Sequence, residues 1–209
     1  MVRDMAEKTL TRSEQKRSSI LEAATNEFKE KGFQGASMDR ISERAGVSKR
    51  TVYNHFPSKE DLFSDISDNL WQRMKAAEKL EYTSEIPMAQ QLEAFAAETM
   101  TLYASEDYIG LSRCILAEYM HSETLARQAM TKFTEDDSAL ERWIQSGIND
   151  KRLKKGSPVF MATQFFYLLK GFGFWPQTIG HSPVLTSEEQ QQVIQSSVSM
   201  FLNQYQLKE

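Results

Sequence analysis

Apolar side chains recur every three or four residues along most of this chain, and the recurring stretches are punctuated by Ser, Thr, Gly and Pro where helices start and stop. No stretch sustains the alternation of a half-buried strand, and there is no internal repeat or long low-complexity tract. The pattern restricts the chain to an all-α fold.

The spacing predicts nine helices. Ile20, Leu21, Ala24 and Phe28 mark a first helix over residues 12–31, opened by a Thr11/Glu14 capping box and stopped by Gly32. Ser37 caps a short second helix over residues 38–44. Ala45-Gly46-Val47 then forms a compact turn in which glycine can take a positive φ without a Cβ clash, and Ser48 caps a third helix ending at His55. Phe56-Pro57 breaks that helix, and Ser58-Lys59-Glu60-Asp61 opens a long fourth one reaching Leu80. Met88, Leu92, Phe95, Ala96, Thr99 and Tyr103 carry a fifth, and residues 107–119 a sixth. A seventh begins after Ser122 and continues to Leu153, with an irregularity expected through the acidic Glu135-Asp136-Asp137-Ser138. The eighth occupies residues 158–175, and Thr186 with Glu189 opens the last.

With 209 residues the chain fits one large or two small domains, and at this size roughly 70% of the extended-chain surface is expected to be buried. The single Cys114 excludes an intrachain disulfide and any multi-cysteine metal cluster. No apolar stretch suited to a secretory signal or first membrane span follows the N-terminus, and residues 159–175, though rich in apolar side chains, contain Gln164 and Lys170 and are short for a span. A cytoplasmic protein with no membrane partner is the expectation. Its net charge is −4, yet residues 1–63 hold 12 basic and 10 acidic side chains, a net of +2, and the remainder 13 and 19, a net of −6. The steepest positive stretch, residues 37–59, sets Arg40, Arg44, Lys49, Arg50 and Lys59 against Asp39 and Glu43, which suits a local polyanion-binding face.

Two short helices joined by a tight turn, directly after a longer packing helix, have the dimensions of a helix-turn-helix unit. The third helix would be the reader, with Val47, Val52 and Phe56 packed behind it. Lys49, Arg50, Thr51 and Asn54 are then candidates for base edges or nearby phosphates, and Tyr53, His55 and Lys59 for the DNA backbone. Arg or Lys can recognise guanine and Asn adenine, whereas phosphate contacts fix orientation without reading sequence. On residue chemistry alone, the segment also reads as two solvated helices whose cations serve solubility.

The string VSKRTVYNHFPSKEDLF at Val47–Phe63 resembles the TetR family of bacterial transcription regulators, which joins an Ala-Gly-Val turn, a Ser-capped recognition helix, a Tyr-x-His-Phe ending and a Ser-Lys-Glu helix start. Ile20, Ala23, Phe28, Gly32, Met38 and Ile41 extend the resemblance upstream. It implies a tail of residues 1–11, an N-terminal three-helix helix-turn-helix domain over residues 12–58, and a C-terminal helical ligand-binding and dimerisation domain over residues 59–209. It also implies phosphate contacts at Tyr53, His55 and Lys59, with small polar caps near the phosphates at Ser37 and Ser48. The chain departs from the family pattern at Ser42, where Ala is common, and at Arg50, where Gly or Ala is frequent; Arg50 puts a long donor on the reader. LLKGFGFWPQTIG at Leu168–Gly180, with Phe201, resembles the AefR-like and AcrR-like group.

The function implied is a homodimer that binds double-stranded operator DNA, most often a repressor released by a small molecule. The alternatives are an activator or a ligand-independent regulator of the same fold. Family members commonly dimerise through their last two helices, here carrying Phe160, Phe165, Phe166, Leu169 and Phe172, then Val198, Phe201, Leu202 and Tyr205. Trp71, Met74, Phe95, Met100, Tyr103 and Trp143 are candidates to line a chamber for a small neutral or hydrophobic effector, although such side chains equally fill a helical core. An enzyme is not expected: His55, His121 and His181 are dispersed, HExxH and Walker motifs are absent, and no catalytic residue, metal or cofactor is implied. A helical interaction module would explain the apolar helices but not the basic reader.

Overall fold

The computed structural model describes residues 11–133 and 138–207; the expected tail before Thr11 and the acidic residues 135–137 lie outside them. Its helices are α1 (Arg12–Gly35), α2 (Met38–Arg44), α3 (Lys49–His55), α4 (Lys59–Ala77), α5 (Met88–Tyr103), α6 (Glu106–His121), α7 (Glu123–Phe133), α8 (Ala139–Asn149), α9 (Pro158–Gly173), α10 (Trp175–Thr178) and α11 (Ser187–Tyr205). The chain divides into two compact units, Met1–Asp68 and Asn69–Glu209, so the boundary falls within α4. Extended pairing among the described residues is limited to a single antiparallel bridge, Leu153 with Gln206.

In the first unit the capping box at Thr11 forms as expected, with the Thr11 amide donating to Glu14 Oε2 at 2.7 Å. Gly32 breaks α1 at φ +68°, a conformation that strains any L side chain, and one further turn follows it. That turn carries Phe33 into a ring cluster with Phe28 and Phe63, whose centroids lie 4.9 to 6.0 Å apart. Around the cluster Ile20, Ile41, Val52 and Leu62 are fully buried, so α1 to α3 and the start of α4 share one core.

In the second unit α9 packs against α5, α8 and α11. The core between them holds Leu92, Phe95, Met100, Tyr103, Leu140, Trp143, Phe165, Leu169 and Phe201. The expected seventh helix is two helices, α7 and α8, the second capped by Ser138, whose Oγ accepts from the Glu141 amide at 3.2 Å. The expected eighth helix ends at Gly173, and α10 follows as a separate turn, its Gln177 and Thr178 carbonyls accepting from the Arg113 guanidinium at 2.6 and 3.0 Å. Among the described residues no helix is long and apolar enough to cross a membrane.

Candidate nucleic-acid interface

The turn between α2 and α3 is fixed by backbone chemistry. Gly46 sits at φ +64°, its amide donates to the Glu43 carbonyl at 3.1 Å, and the Val47 amide donates to the Ser42 carbonyl at 3.1 Å. These two bonds make a Schellman ending, which satisfies the last carbonyls of α2 within two residues and sends the chain directly into α3. Ser48 then caps α3, its Oγ accepting from the Thr51 amide at 3.2 Å and lying 2.8 Å from Thr51 Oγ1. Ser37 caps α2 by accepting from the Asp39 amide at 3.2 Å.

The seven residues of α3 separate cleanly by face. Val52 is buried and Phe56 closes the helix against the core, while Ser48, Lys49, Arg50, Tyr53 and Asn54 are exposed, and Ser37, Thr51, His55 and Lys59 are half-buried. Val47 is half-buried rather than sealed. One exposed, donor-rich strip therefore stands on a short helix anchored from behind.

The cationic stretch is far less available than its sequence count suggests. Arg40 Nε donates to Glu27 Oε1 at 2.5 Å, and Arg44 makes a bidentate pair with Glu30 at 2.7 and 2.8 Å. Lys49 Nζ lies 2.6 Å from Asp39, which holds the ammonium pKa above its ordinary value. Lys59 Nζ donates to the Phe33 and Ala36 carbonyls at 2.8 and 3.3 Å and lies 4.6 Å from the Phe33 ring centre. Its charge thus serves the broken end of α1. Among the described residues, Arg50 and Asn54 have side chains with no hydrogen bond or ion pair, leaving both free for a new partner.

The description "AefR-like transcriptional repressor, C-terminal domain" matches residues 90–207, and "Bacterial regulatory proteins, tetR family" matches residues 20–66. The chain belongs to the TetR family. It is similar to a solved TetR-family regulator from Pseudomonas syringae pv. tomato, with 38% identity, a TM-score of 0.82 and coverage of 95% of this chain and 100% of that one. It also resembles the structure of the flavonoid-responsive regulator FrrA, with 26% identity, a TM-score of 0.73 and coverage of 93% and 98%. Among curated relatives, the regulator RutR of Escherichia coli is 29% identical over 137 residues, a stretch covering 63% of this chain and 63% of RutR. The TetR-family match spans most of α1, all of α2 and α3 and the start of α4, and the AefR-like match runs from within α5 through α11.

Two further regions lie in the second unit. Of the residues expected around an effector, Phe95, Met100, Tyr103 and Trp143 are buried in the core, whereas Trp71 and Met74 are half-buried. Trp143 Nε1 donates to Gln91 at 2.8 Å, and Gln91 also binds the Thr83 and Ile86 carbonyls, so this indole ties α8 to the loop before α5. Of the aromatics expected at a dimer contact, Phe165, Leu169, Val198 and Phe201 complete the core, Phe166, Leu202 and Tyr205 are half-buried, and Phe160 and Phe172 are 60% and 61% exposed. An open groove of about 450 Å³ runs between α9 and α11, lined by Tyr167, Leu168, Phe172, Met200 and Gln204 among others. Sequence reasoning missed Tyr167 and Met200, 60% and 56% exposed; the signal was available, since Phe160 and Tyr167 are seven residues apart on one helical face.

Proposed function

We propose that this chain is a homodimeric, cytoplasmic transcriptional repressor that binds a two-fold operator through α3 and is released by a small molecule. The observation that carries the DNA-binding reading is the free, exposed pair Arg50 and Asn54 on a helix whose back face is buried, in a chain of the TetR family. Arg50 and Asn54 are assigned to base edges, and Lys49, Thr51, Tyr53 and His55 to bases or phosphates at the flanks. Ser37 and Ser48 bring their capped helix starts towards the backbone. Lys59 is reassigned from direct phosphate contact to positioning, because its ammonium already caps α1.

Support for a dimer comes from the apolar outer face of α9 and α11, where Phe160, Tyr167, Phe172 and Met200 are all more than half exposed. A two-fold partner would cover that face and duplicate the reader. The ligand response draws on the likeness to FrrA, named as flavonoid-responsive, and on the AefR-like repressor match. Coupling is proposed to run through α4, whose residues belong to both units. The ligand must favour the state with low DNA affinity, and reciprocity then requires operator DNA to weaken ligand binding. Selection of genomic fragments by the purified protein, followed by footprinting and reporter transcription, tests the reading. Recovery of an approximately palindromic site whose promoter falls silent on occupancy supports it, and activation from that promoter refutes the repressor assignment.

A further inference from the structure

We infer that a second copy of the chain packs on the outer face of α9 and α11 with its closest helix crossing at Gly171. This contact rests on the dimeric reading above and deepens it by naming the point of nearest approach. Two glycines close to the end of α9 lie two residues apart and serve different sides of the helix. A Cβ on Gly173 would meet Met100 Cε at 2.6 Å and Sδ at 2.7 Å, so that glycine makes room for α5 of the same chain. Gly171 is exposed, its φ lies outside the left-handed region, and a Cβ there would meet nothing within 4 Å among the described residues. None of them therefore calls for glycine at 171. Alanine would fit and would favour the helix, because glycine has more backbone freedom to lose on folding. What a bare backbone supplies at an exposed helical position is close approach by a second helix.

Gly171 stands on the helical row of Gln164 and Tyr167, seven and four residues before it. Those two side chains, with Phe172, form the α9 wall of the groove of about 450 Å³ between α9 and α11. The row drops to bare backbone at 171, while the rings of Tyr167 and Phe172 stand out on either side of it. Helices ordinarily pack about 8–10 Å apart between axes, and glycine at the crossing permits the short end of that range.

The charge pattern of the face selects its occupant. Charged residues make up 26% of the chain, yet α9 carries only the half-buried Lys170, and α11 only Glu188 and Glu189 in its first turn. Beyond that turn no exposed position on either helix is charged among the described residues. Such a face meets its own copy without setting like charges together, and it offers a strongly acidic or basic partner nothing to pair with. It also carries both halves of a fit, exposed rings and an open groove. A two-fold contact uses the same patch twice, so the rings of each copy are available to the groove of the other.

Sedimentation equilibrium of the full chain tests the crossing point. Gly171→Ala should weaken the dimer about tenfold and Gly171→Leu about a hundredfold, since carbon added at a close crossing forces the backbones apart. Ala97→Leu, which adds comparable bulk at an exposed position of α5, should leave the dimer unchanged. In the background of Tyr167→Asp with Phe172→Asp, expected to be monomeric, Gly171→Ala should raise the melting temperature, because the helix gains and no contact is lost. Opposite signs in the two measurements separate loss of the dimer from loss of the fold. Unchanged dimerisation in both Gly171 variants, equal weakening by Ala97→Leu, a double-Asp background that stays dimeric, or a lower melting temperature for Gly171→Ala in that background would overturn the inference. Operator titrations of the unaltered chain run alongside. A dimer that binds operator but is indifferent to Gly171→Leu rejects only this crossing point, whereas an unaltered chain that stays monomeric or ignores operator DNA rejects the functional reading beneath it.

Discussion

Arg40 and Glu27 form one ion pair, yet removing either partner should have unequal consequences. Glu27 is fully buried in α1, whereas the side chains of Arg40 and Arg44 are 48% and 36% exposed. Arg40→Met strands the carboxylate, leaving only Arg44 at 3.8 Å. An uncompensated buried charge costs about 3 kcal/mol at the lower end of measured cases, appropriate here because Arg44 remains near. The lost Arg40 bond to the Gly35 carbonyl adds about 0.5–1 kcal/mol. Glu27→Leu breaks the same pair but removes the buried charge, while Arg44 keeps its pair with Glu30 and the half-exposed Arg40 keeps the Gly35 carbonyl, so its net effect should stay within about 1 kcal/mol of zero. Urea unfolding followed by circular dichroism should therefore place Arg40→Met about 3.5–4 kcal/mol below Glu27→Leu. Equal losses, or a larger loss for Glu27→Leu, would refute the claim that stranding the Glu27 carboxylate costs more than removing it.

Gly46→Ala should cost about 1–2 kcal/mol, entirely through its positive φ, since a Cβ there meets no atom within 4 Å; thermal melting measures it, and a neutral result would contradict the turn geometry. Arg50→Ala and Asn54→Ala should compress discrimination between the operator and its single-base variants, each contact carrying about 1–3 kcal/mol, whereas Tyr53→Phe should weaken all sequences alike in anisotropy titrations. Phe172→Asp together with Tyr167→Asp should yield monomers in analytical ultracentrifugation with α-helical content retained; a persistent dimer would move the interface elsewhere. Glu14 and Glu189 have carboxyl pKa values lowered by the capping threonines Thr11 and Thr186. The stability each contributes is present above the unfolded pKa and lost as pH falls through the lower folded value, so acid titration by NMR should show both carboxyls protonating below ordinary glutamates.

The parts of this fold that were legible in the sequence are those governed by local chemistry. Ser37, Gly46 and Ser48 fix the ends of α2 and α3 within a few residues of themselves, and both helices run over the expected positions. The irregularity expected at Glu135–Ser138 coincides with the start of a separate α8, for which Ser138 followed three residues later by Glu141 was the local sign. Charge pairing was a different matter. The partners of Arg40 and Arg44 are Glu27 and Glu30, 13 and 14 residues upstream, and only the folded packing of α1 on α2 brings them together. A count of cations along residues 37–59 therefore overstated the free positive charge. The division of α9 into Phe165 and Leu169 inside and Phe160, Tyr167 and Phe172 outside was equally hidden, because a helix apolar on most of its circumference does not reveal which stripe its own chain will cover.

The most direct test of the account is a footprint and stoichiometric titration on a genomic fragment selected by the protein, comparing the unaltered chain with Arg50→Ala at several salt concentrations. The account predicts a protected, approximately palindromic site occupied by an even number of protomers, with half-sites arranged for two copies of α3 and sequence discrimination that falls in the variant. Binding that shows no site preference, or a preference that Arg50→Ala and Asn54→Ala both leave intact, would contradict it.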